Sequence, residues 1–359
     1  MYRNGILVGG RRVISGGIEM LRKVTPGDIL IITGGIGDSA LYRANHHAEE
    51  LQLNGFHVST TIQDNPFLLH HQHNFNIFIF HRVLYTPTIK KLIESIKKKR
   101  KFIIFDADDL IFDRIYLKHM DYFNQMNSIE KKFYEKGVGG EILNNPYVTA
   151  CTASTAFLAN IIRLKNKKVF IVPNRLSKQD VKWAENLKNK KTTNDQKITR
   201  IGYFSGSLSH NKDFATISDV LMELMMRYPN IQLMIAGPLD IDPELSEKYR
   251  NRIITSPYVP RKKYFKLLSE TDINLAPLEI NNPFCESKSE LKFFEAGLLD
   301  VPTVAIRNQT FSQAMKDGEN GFLATYKSEW YHKIETLIQS KALRTEMGCR
   351  ANHSVLKNY

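Results

Sequence analysis

Short apolar runs alternate along the chain with longer stretches in which apolar residues recur at helical spacing. The short runs predict β-strands and the longer stretches predict helices, and this alternation is typical of parallel α/β sheets. In the first half we predict strands at Ile29–Thr33, His57–Thr61, Phe75–Phe80, Lys101–Phe105, Tyr147–Thr149 and Val169–Val172. In the second half we predict strands at Thr199–Phe204, Ile231–Ala236, Ile273–Ala276 and Thr303–Ile306.

A polar stretch, ENLKNKKTTNDQK, separates the two series of predicted strands. It is nearly free of apolar residues, which indicates a linker and places a domain boundary near residue 197. We therefore predict an N-terminal Rossmann-like domain over residues 1–197, linker included, and a C-terminal one over residues 198–359. Because ligands of open parallel sheets bind beyond the carboxyl ends of the strands, we expect the two domains to face a central cleft.

The chain has 359 residues and a formal net charge of +13, which fits two globular domains and favours anionic partners such as phosphates. No recognition helix, zinc finger or basic-aromatic signature accompanies this charge, so we expect no nucleic-acid partner. The 3 cysteines are scattered without metal-ligand spacing, and we expect neither a metal site nor a disulfide framework. The first residues lack the apolar core of a secretory signal, which predicts a cytoplasmic protein.

The segment NPFCESKSELKFFEAGLLDVPTV holds the most informative spacing of the C-terminal half. Ser287 and Glu290 form an S-x-x-E pattern, which predicts a capping box and a helix that begins at Ser287. The first amides of that helix, around Lys288 and Ser289, would then offer an anion site at the positive end of the helix dipole.

Within the predicted helix, Lys288, Lys292 and Glu295 are spaced i, i+4 and i+7 and therefore share one face. Two lysines fit a diphosphate, and a carboxylate fits the two hydroxyls of a ribose. The same spacing also occurs on ordinary solvated helices, so this pattern leaves both interpretations open.

The segment IGYFSGSLSHNKDF predicts a strand, a glycine turn and the start of a helix. Gly206 permits close approach of a ligand to the backbone, and Ser207, His210 and Lys212 add hydrogen-bond donors to the same loop. Two strand-end loops rich in lysine and serine favour a diphosphate site over a chance arrangement.

These two segments, with IAGPLD and SPYVPRKKYFKLLSETDINLAPLE, resemble glycosyltransferase family 4. They resemble more closely its polysaccharide-biosynthesis branch, which carries an AKSELK-type segment. The resemblance covers most of residues 198–350 and extends more loosely to IVPNRL before the linker. It implies a GT-B fold and retaining transfer of a sugar from a nucleoside-diphosphate sugar to a glycan or lipid-linked acceptor. It also implies catalysis without a metal ion, and no cofactor besides the donor substrate.

The resemblance assigns roles to individual residues. Gly206 and Lys212 match the family's glycine and its second phosphate-binding basic residue, whereas Ser207 stands where an arginine is usual. Glu295 matches the second glutamate of the E-x7-E motif, which implies contact with the ribose.

The first glutamate of that motif would fall on Ser287, and Glu286 lies one residue earlier. Glu286 is therefore the candidate for a contact with the donor sugar. Tyr258 and Val259 occupy the loop that lies against the base in this family.

A buried strand in FIIFDADDLIFD carries Asp106, Asp108 and Asp109 to a strand end. The first interpretation is the metal-binding D-x-D of another glycosyltransferase fold. The second is a haloacid-dehalogenase-like phosphatase with Asp106 as nucleophile and Asp108 as general acid. In the third, the carboxylates position acceptor hydroxyls or stabilise positive charge on the donor sugar, as the similar D-x-D-D segment of the family branch implies. A non-catalytic glycan- or nucleotide-binding module remains the alternative to an enzyme.

Other strand-end residues of the first half are Gly35, Arg43 and Arg82. Because they end or follow predicted strands, we predict that they approach the donor phosphates or an anionic acceptor.

The segment TIKKLIESIKKKRK combines an apolar stripe with dense positive charge. Ile89, Leu92, Ile93 and Ile96 follow i, i+3, i+4, i+7 spacing, which predicts an outer helix packed on the first sheet. The surrounding lysines predict salt-sensitive binding to an anionic membrane surface, hence a peripheral location beside a lipid-linked acceptor.

Overall fold

The computed structural model describes residues 17, 19–121, 123, 126–135, 137–189, 198–206 and 210–359. The described residues divide into two compact units. The first is drawn from Met1–Lys118 and Met126–Arg175, and the second from His119–Gln125 and Leu176–Tyr359. Each unit contains one parallel six-stranded sheet with helices, so the prediction of two Rossmann-like α/β domains is confirmed.

The sheet of the first unit has the strand order β2-β1-β3-β4-β5-β6, and neighbouring strands are parallel. The strands are β1 (Ile29–Thr33), β2 (Val58–Ile62), β3 (Ile77–His81), β4 (Phe102–Ala107), β5 (Ala150–Ala153) and β6 (Lys168–Ile171). The helices are α1 (Asp38–Ala40), α2 (His47–Leu53), α3 (Pro87–Lys98), α4 (Ser128–Glu135), α5 (Gly140–Leu143) and α6 (Ala156–Arg163). A π-helical segment, Leu41–His46, joins α1 to α2, and 3₁₀ segments occupy Leu68–His73, Leu110–Phe112 and Arg114–His119.

The sheet of the second unit has the order β12-β11-β10-β7-β8-β9 and is also parallel. The strands are β7 (Thr199–Phe204), β8 (Ile231–Ala236), β9 (Ile253–Ser256), β10 (Ile273–Ala276), β11 (Thr303–Ile306) and β12 (Phe322–Ala324). The helices are α7 (Lys178–Lys188), α8 (Asn211–Ala215), α9 (Ser218–Arg227), α10 (Pro243–Lys248), α11 (Arg261–Ser269), α12 (Pro283–Glu286), α13 (Leu291–Leu298), α14 (Gln309–Ala314), α15 (Lys327–Gln339) and α16 (Lys341–Asn358). A 3₁₀ turn, Arg250–Arg252, precedes β9.

Most strands lie where the apolar runs predict them, and β1, β7, β8, β10 and β11 have the predicted bounds. The predicted strand Tyr147–Thr149 is wrong, because the strand at this place is β5, Ala150–Ala153. Asn145 explains the difference, since its side chain accepts from the amide of Tyr147 and its carbonyl accepts from the amide of Val148. These contacts form a turn directly before the strand.

The sequence does not predict β9 and β12, which are the two edge strands of the second sheet. β9 is partly exposed along its whole length, and β12 has only three residues. An edge strand pairs on one side only, so it needs neither the length nor the continuous apolar character of a central strand.

The contact-based boundary between the units falls at Arg175 and Leu176, before the polar stretch that suggested a boundary near residue 197. Helix α7 therefore belongs to the second unit. Asp180 of this helix forms a buried ion pair with Arg261 of α11. Residues 190–197 of the predicted linker lie outside the described residues.

Helix α3 carries the apolar stripe that its spacing predicts. Ile89, Leu92, Ile93 and Ile96 are all fully buried, and the Thr86 side chain caps the helix by accepting from the amide of Ile89. Lys90, Lys91, Lys97 and Lys98 are exposed on the opposite side. Across the described parts of both units, no helix is long and apolar enough to cross a membrane.

Candidate functional site

The predicted capping box at Ser287 and Glu290 is wrong. Helix α13 begins at Leu291, and Glu290 precedes it without a side-chain capping bond. Ser287 instead directly follows the short helix α12 as its C-cap, where its hydroxyl donates to the carbonyl of Phe284 at 2.7 Å. The Glu290 carboxylate accepts from the Tyr359 hydroxyl at 2.6 Å, a contact that local spacing does not reveal.

A stronger local signal starts α12 before Ser287. Asn282 accepts from the amide of Phe284 at 2.9 Å, and Pro283 occupies the first helical position. The amide of Lys288 then donates to the carbonyl of Cys285 at 3.1 Å. The predicted anion site at the amides of Lys288 and Ser289 therefore does not form as a helix N-terminus. Ser289 lies in the irregular segment between the two helices.

Lys292 and Glu295 do share a helix, α13, as their spacing predicts. The Lys292 ammonium group is buried, has no hydrogen-bond partner among the described residues, and lies 4.0 Å from the centroid of the Tyr203 ring. Burial lowers the pKa of Lys292 to about 8, although Asp213 and Glu295 oppose the shift. Lys288 precedes this helix, and its ammonium group lies 4.1 Å from the centroid of the Phe284 ring.

Asp213 is the centre of a buried polar cluster beside Lys292. It accepts from Nδ1 of His210 at 2.8 Å, from the amide of Glu279 at 3.0 Å and from the thiol of Cys285 at 3.3 Å. Burial disfavours the charged carboxylate, yet the contacts with His210 and the amide hold the pKa of Asp213 below its usual value. Burial lowers the pKa of His210, so a neutral ring that donates through Nδ1 fits both groups.

Asp213, Glu279 and Cys285 also bring potential metal-ligand atoms within 4.8 Å of one another. Burial raises the pKa of the Cys285 thiol, so the thiol keeps its proton and donates to Asp213.

The loop after β7 carries the other predicted phosphate ligands. Gly206 is exposed, and a Cβ atom there would meet no atom within 4 Å; Ser207 lies outside the described residues. The Lys212 side chain is 61% exposed and pairs with Asp121, whose carboxylate also accepts from the Lys212 amide at 3.2 Å.

Gly237, which directly follows β8, is a residue that the sequence analysis does not identify as part of the site. Its φ is +92°, and a Cβ atom there would lie 1.8 Å from the carbonyl oxygen of Ser205. Only glycine fits this close approach of two strand ends. The glycine of IAGPLD was the available signal.

The Glu295 carboxylate is held by two side chains from α11. Nη1 of Arg261 donates to Oε1 at 2.9 Å, and the hydroxyl of Tyr264 donates to Oε2 at 2.7 Å. The loop before α11 contains half-buried Tyr258 and buried Val259, the two residues predicted to lie against a base. Arg261 and Tyr264 went unnoticed in the sequence because no local spacing connects them to Glu295.

Glu286 ends α12 and is half-buried, and burial raises the pKa of its carboxyl group. The Glu286 carboxyl group is therefore partly exposed to solvent and takes up a proton more readily than a fully exposed glutamate.

In the first unit, Arg43 and Asp106 form a buried ion pair. They are 1% and 2% exposed, and the guanidinium donates to both carboxylate oxygens, at 3.0 and 2.5 Å. Thr152 donates to the same carboxylate at 2.6 Å, and Arg43 also donates to the carbonyl of Val172 at 2.6 Å. The pair therefore joins the π-helical segment to β4 and the end of β6. All three side-chain nitrogens of Arg43 donate to acceptors within the first unit, so this residue is not placed as a phosphate ligand.

Asp108 and Asp109 lie at the end of β4 beside Arg82, which follows β3. Nε of Arg82 donates to Asp108 at 2.6 Å, and Nη2 donates to Asp109 at 3.3 Å. Although burial opposes the charge, Asp108 and Asp109 raise the pKa of Arg82. Arg82 has a φ of +52°, a conformation that costs energy for a residue with a side chain.

His81 and Ser39 complete this cluster and were also missed. Nε2 of buried His81 lies 3.1 Å from Asp108, and the Ser39 hydroxyl donates to the other oxygen of that carboxylate. Gly35 is exposed in the loop before α1. Its neighbour Gly34 is the position where only glycine fits, since a Cβ atom there would lie 1.8 Å from the Arg82 carbonyl oxygen.

The segment 199–340 matches the family model described as Glycosyl transferases group 1. The second unit contains a group 1 glycosyl transferase domain. The match spans the loop after β7, the loop before α11, and Lys292 and Glu295 on α13. No curated protein gives a significant sequence match to the chain.

Solved structures share the fold at low sequence identity. HepE from Anabaena in complex with UDP is 13% identical, with a TM-score of 0.60 over 92% of this chain and 95% of that one. Sucrose-phosphate synthase from Thermosynechococcus elongatus is 14% identical, with a TM-score of 0.62 over 92% and 94%. TarM from S. aureus, in a complex that includes UDP, is 15% identical, with a TM-score of 0.53 over 80% and 52%. The fold class is therefore GT-B.

The phosphatase interpretation of the first unit is not supported. A nucleophile needs a free oxygen near the substrate, whereas both oxygens of Asp106 are held by buried Arg43. Asp106 is therefore a structural carboxylate, and of the three aspartates singled out in this segment, Asp108 and Asp109 remain candidates for contact with a substrate.

Proposed function

We propose that the chain transfers a sugar from a UDP-sugar to a glycan or lipid-linked acceptor during the synthesis of a cell-surface polysaccharide. The group 1 glycosyl transferase domain supports the class of reaction. HepE, whose structures contain UDP and UDP-glucose, supports uridine as the base.

The observation that carries this proposal is the buried ammonium group of Lys292. It has no hydrogen-bond partner among the described residues, and its charge is opposed by its burial. A buried cation without hydrogen bonds is costly, and an anionic ligand oxygen would supply the missing acceptor together with further negative charge. A diphosphate beside α13 meets this need.

The other residues of the domain fit the remaining parts of the donor. Lys212 supplies a second, exposed charge for the diphosphate, and Glu295 can accept from ribose hydroxyls. Tyr258 and Val259 supply the surface for the base. Preorganised positive charge at the leaving diphosphate stabilises the transition state, which typically contributes several kcal/mol.

Retention of configuration and independence of a metal ion belong to the same proposal. Lysine ammonium groups take the place of a divalent cation at the diphosphate, and the acceptor attacks from the face that the diphosphate leaves. Asp108 and Asp109 of the first unit are the proposed partners for acceptor hydroxyls, with Arg82 holding both carboxylates in place.

Calorimetric titration with UDP tests the donor site. We expect Lys292→Met to weaken UDP binding by at least about tenfold, because a charge-assisted contact contributes about 1.5–3 kcal/mol. Lys316→Met is the matched control, since this lysine of the same unit pairs with Glu319 at the surface. Unchanged UDP affinity in Lys292→Met would contradict the proposed site.

Release of UDP from a panel of UDP-sugars, with and without glycan or lipid-linked acceptors, tests the reaction. We expect acceptor-dependent release by the wild type and its loss in Lys292→Met. Tight UDP binding without release from any UDP-sugar would instead identify a non-catalytic nucleotide-binding module.

A further inference from the structure

The Glu295 carboxylate is held from two sides by helix α11. Arg261 donates to Oε1 at 2.9 Å, and Tyr264 donates to Oε2 at 2.7 Å. Each bond holds one of the two carboxylate oxygens, so together they fix the plane of the group. Glu295 is itself buried, so its side chain has little freedom to choose another orientation.

Arg261 is in turn held by a second carboxylate. Its Nε and Nη2 donate to the two oxygens of Asp180 at 2.7 and 3.0 Å. Asp180 is 1% exposed and takes part in the capping box of α7, where its side chain accepts from the amide of Ser177. The guanidinium thus bridges two buried carboxylates, one structural and one proposed to bind ribose.

We propose that Arg261 and Tyr264 are positioning residues that orient the Glu295 carboxylate toward the ribose hydroxyls of the donor nucleotide. The inference rests on the proposed function, because it assigns ribose to Glu295. A carboxylate that is already oriented loses less conformational freedom on binding, so its contacts with the two hydroxyls contribute more to affinity.

A positioning role and a purely structural role differ in which nucleotides lose affinity when the residue is replaced. Loss of packing or stability would weaken all nucleotides alike. Loss of carboxylate orientation should weaken only nucleotides that have ribose hydroxyls. The comparison of UDP with 2′,3′-dideoxyuridine diphosphate separates these two cases.

Tyr264→Phe is the main variant because it removes one hydroxyl and leaves the Arg261 ion pairs intact. We expect it to weaken UDP binding about three- to tenfold and to change binding of the dideoxy analogue about twofold or less. With a UDP-sugar as substrate, KM should rise while kcat stays close to the wild-type value, since the ribose contact is present before and during the reaction.

Arg261→Lys is the second variant, since it keeps a positive charge beside Asp180 but loses the fork that bridges two carboxylates. It should also reduce the preference for UDP over the dideoxy analogue. Tyr228→Phe is the control, because Tyr228 likewise donates to a glutamate, Glu335, at 2.7 Å on other helices of the unit. This control should keep the wild-type preference.

Glu295→Ala provides the reference for complete loss of the ribose contact, because alanine has no acceptor. If Glu295→Ala abolishes the preference for UDP but Tyr264→Phe retains it in full, the positioning role is overturned and the donor site stands. If the wild-type protein does not bind UDP, or Glu295→Ala keeps the preference, the ribose assignment fails and the inference fails with it.

Discussion

We expect the buried Lys292 ammonium group to make nucleotide affinity depend on pH, by an amount that follows from its lowered pKa. Its pKa is about 8 in the protein without nucleotide, against an ordinary value of 10.5. A diphosphate at the ammonium group favours the charged form, so binding raises this pKa back toward its ordinary value. Below pH 8 the lysine is already protonated and affinity is constant with respect to this group. Above pH 8 the neutral lysine must take up a proton to bind, and affinity falls.

The magnitude follows from proton linkage. Each pH unit above the lowered pKa weakens UDP binding about tenfold until the pKa of the bound state is reached. We therefore expect wild-type affinity to fall about tenfold between pH 7 and pH 9. At pH 8, binding should take up about half a proton.

Isothermal calorimetry with UDP in buffers of different ionisation enthalpy measures both the affinity and the proton uptake. Lys292→Arg is the matched variant, because arginine keeps its charge throughout this range and removes the titration. Titration of the nucleotide itself affects both proteins equally and cancels in the comparison. Equal pH dependence in wild type and Lys292→Arg, or no proton uptake at pH 8, would refute the reasoning.

Lys292 should also make the stability of the fold depend on pH, in the opposite direction to UDP affinity. Because the folded protein holds this proton less tightly than the unfolded chain, unfolding free energy should rise as pH increases from about 8 toward 10.5. At pH 7 the buried charge costs up to about 3 kcal/mol. Lys292→Met should therefore not lower Tm at pH 7, even though we expect it to weaken UDP binding. A clear decrease in Tm would contradict the inferred cost of burying this charge.

Three further predictions concern other parts of the chain. Asp121→Asn should strengthen UDP binding by about fivefold or less at low salt, because it releases exposed Lys212 from an ion pair. Unchanged affinity in calorimetry would show that the ion pair does not restrain this lysine. Asp108→Asn should lower turnover more than UDP affinity, and EDTA should leave wild-type turnover intact, whereas a loss on chelation that magnesium restores would contradict metal-independent transfer. Neutralising the exposed lysine run should weaken salt-sensitive binding to anionic vesicles, to which each basic residue contributes about 1 kcal/mol, and equal binding to neutral vesicles would exclude an electrostatic origin. The substitutions for the last test are Lys97→Gln, Lys98→Gln and Lys99→Gln.

Much of the architecture could be predicted from the linear pattern. Buried central strands such as β7 and β10 are continuous apolar runs, and the stripe of α3 repeats at helical spacing, so local sequence is sufficient to identify them. The edge strands β9 and β12 could not be predicted in this way, because β9 is partly exposed along its whole length and the apolar run of β12 is only three residues long. The spacing of Lys292 and Glu295 was likewise sufficient to place them on one helix.

Local patterns failed where two of them competed. The S-x-x-E pattern at Ser287 predicts a helix start. Asn282 and Pro283 begin a helix earlier, however, and Ser287 then lies at the C-cap of that helix and donates to the carbonyl of Phe284. A capping pattern specifies what a side chain can do. Which contact it makes depends on the neighbouring segments and, for Glu290, on a tyrosine 69 residues away.

The partners of the charged residues were decided only by the tertiary structure. Arg43 meets Asp106 across 63 residues, Arg261 meets Asp180 across 81, and Arg261 meets Glu295 across 34. No periodicity connects positions so far apart, because such pairs form only when sheet order and helix packing bring strand ends and helices together. The sequence could therefore name the charged groups of the proposed donor site. Only the packing decided that Arg43 is buried, that the Lys292 ammonium group has no hydrogen-bond partner among the residues the structure describes, and that two side chains hold Glu295.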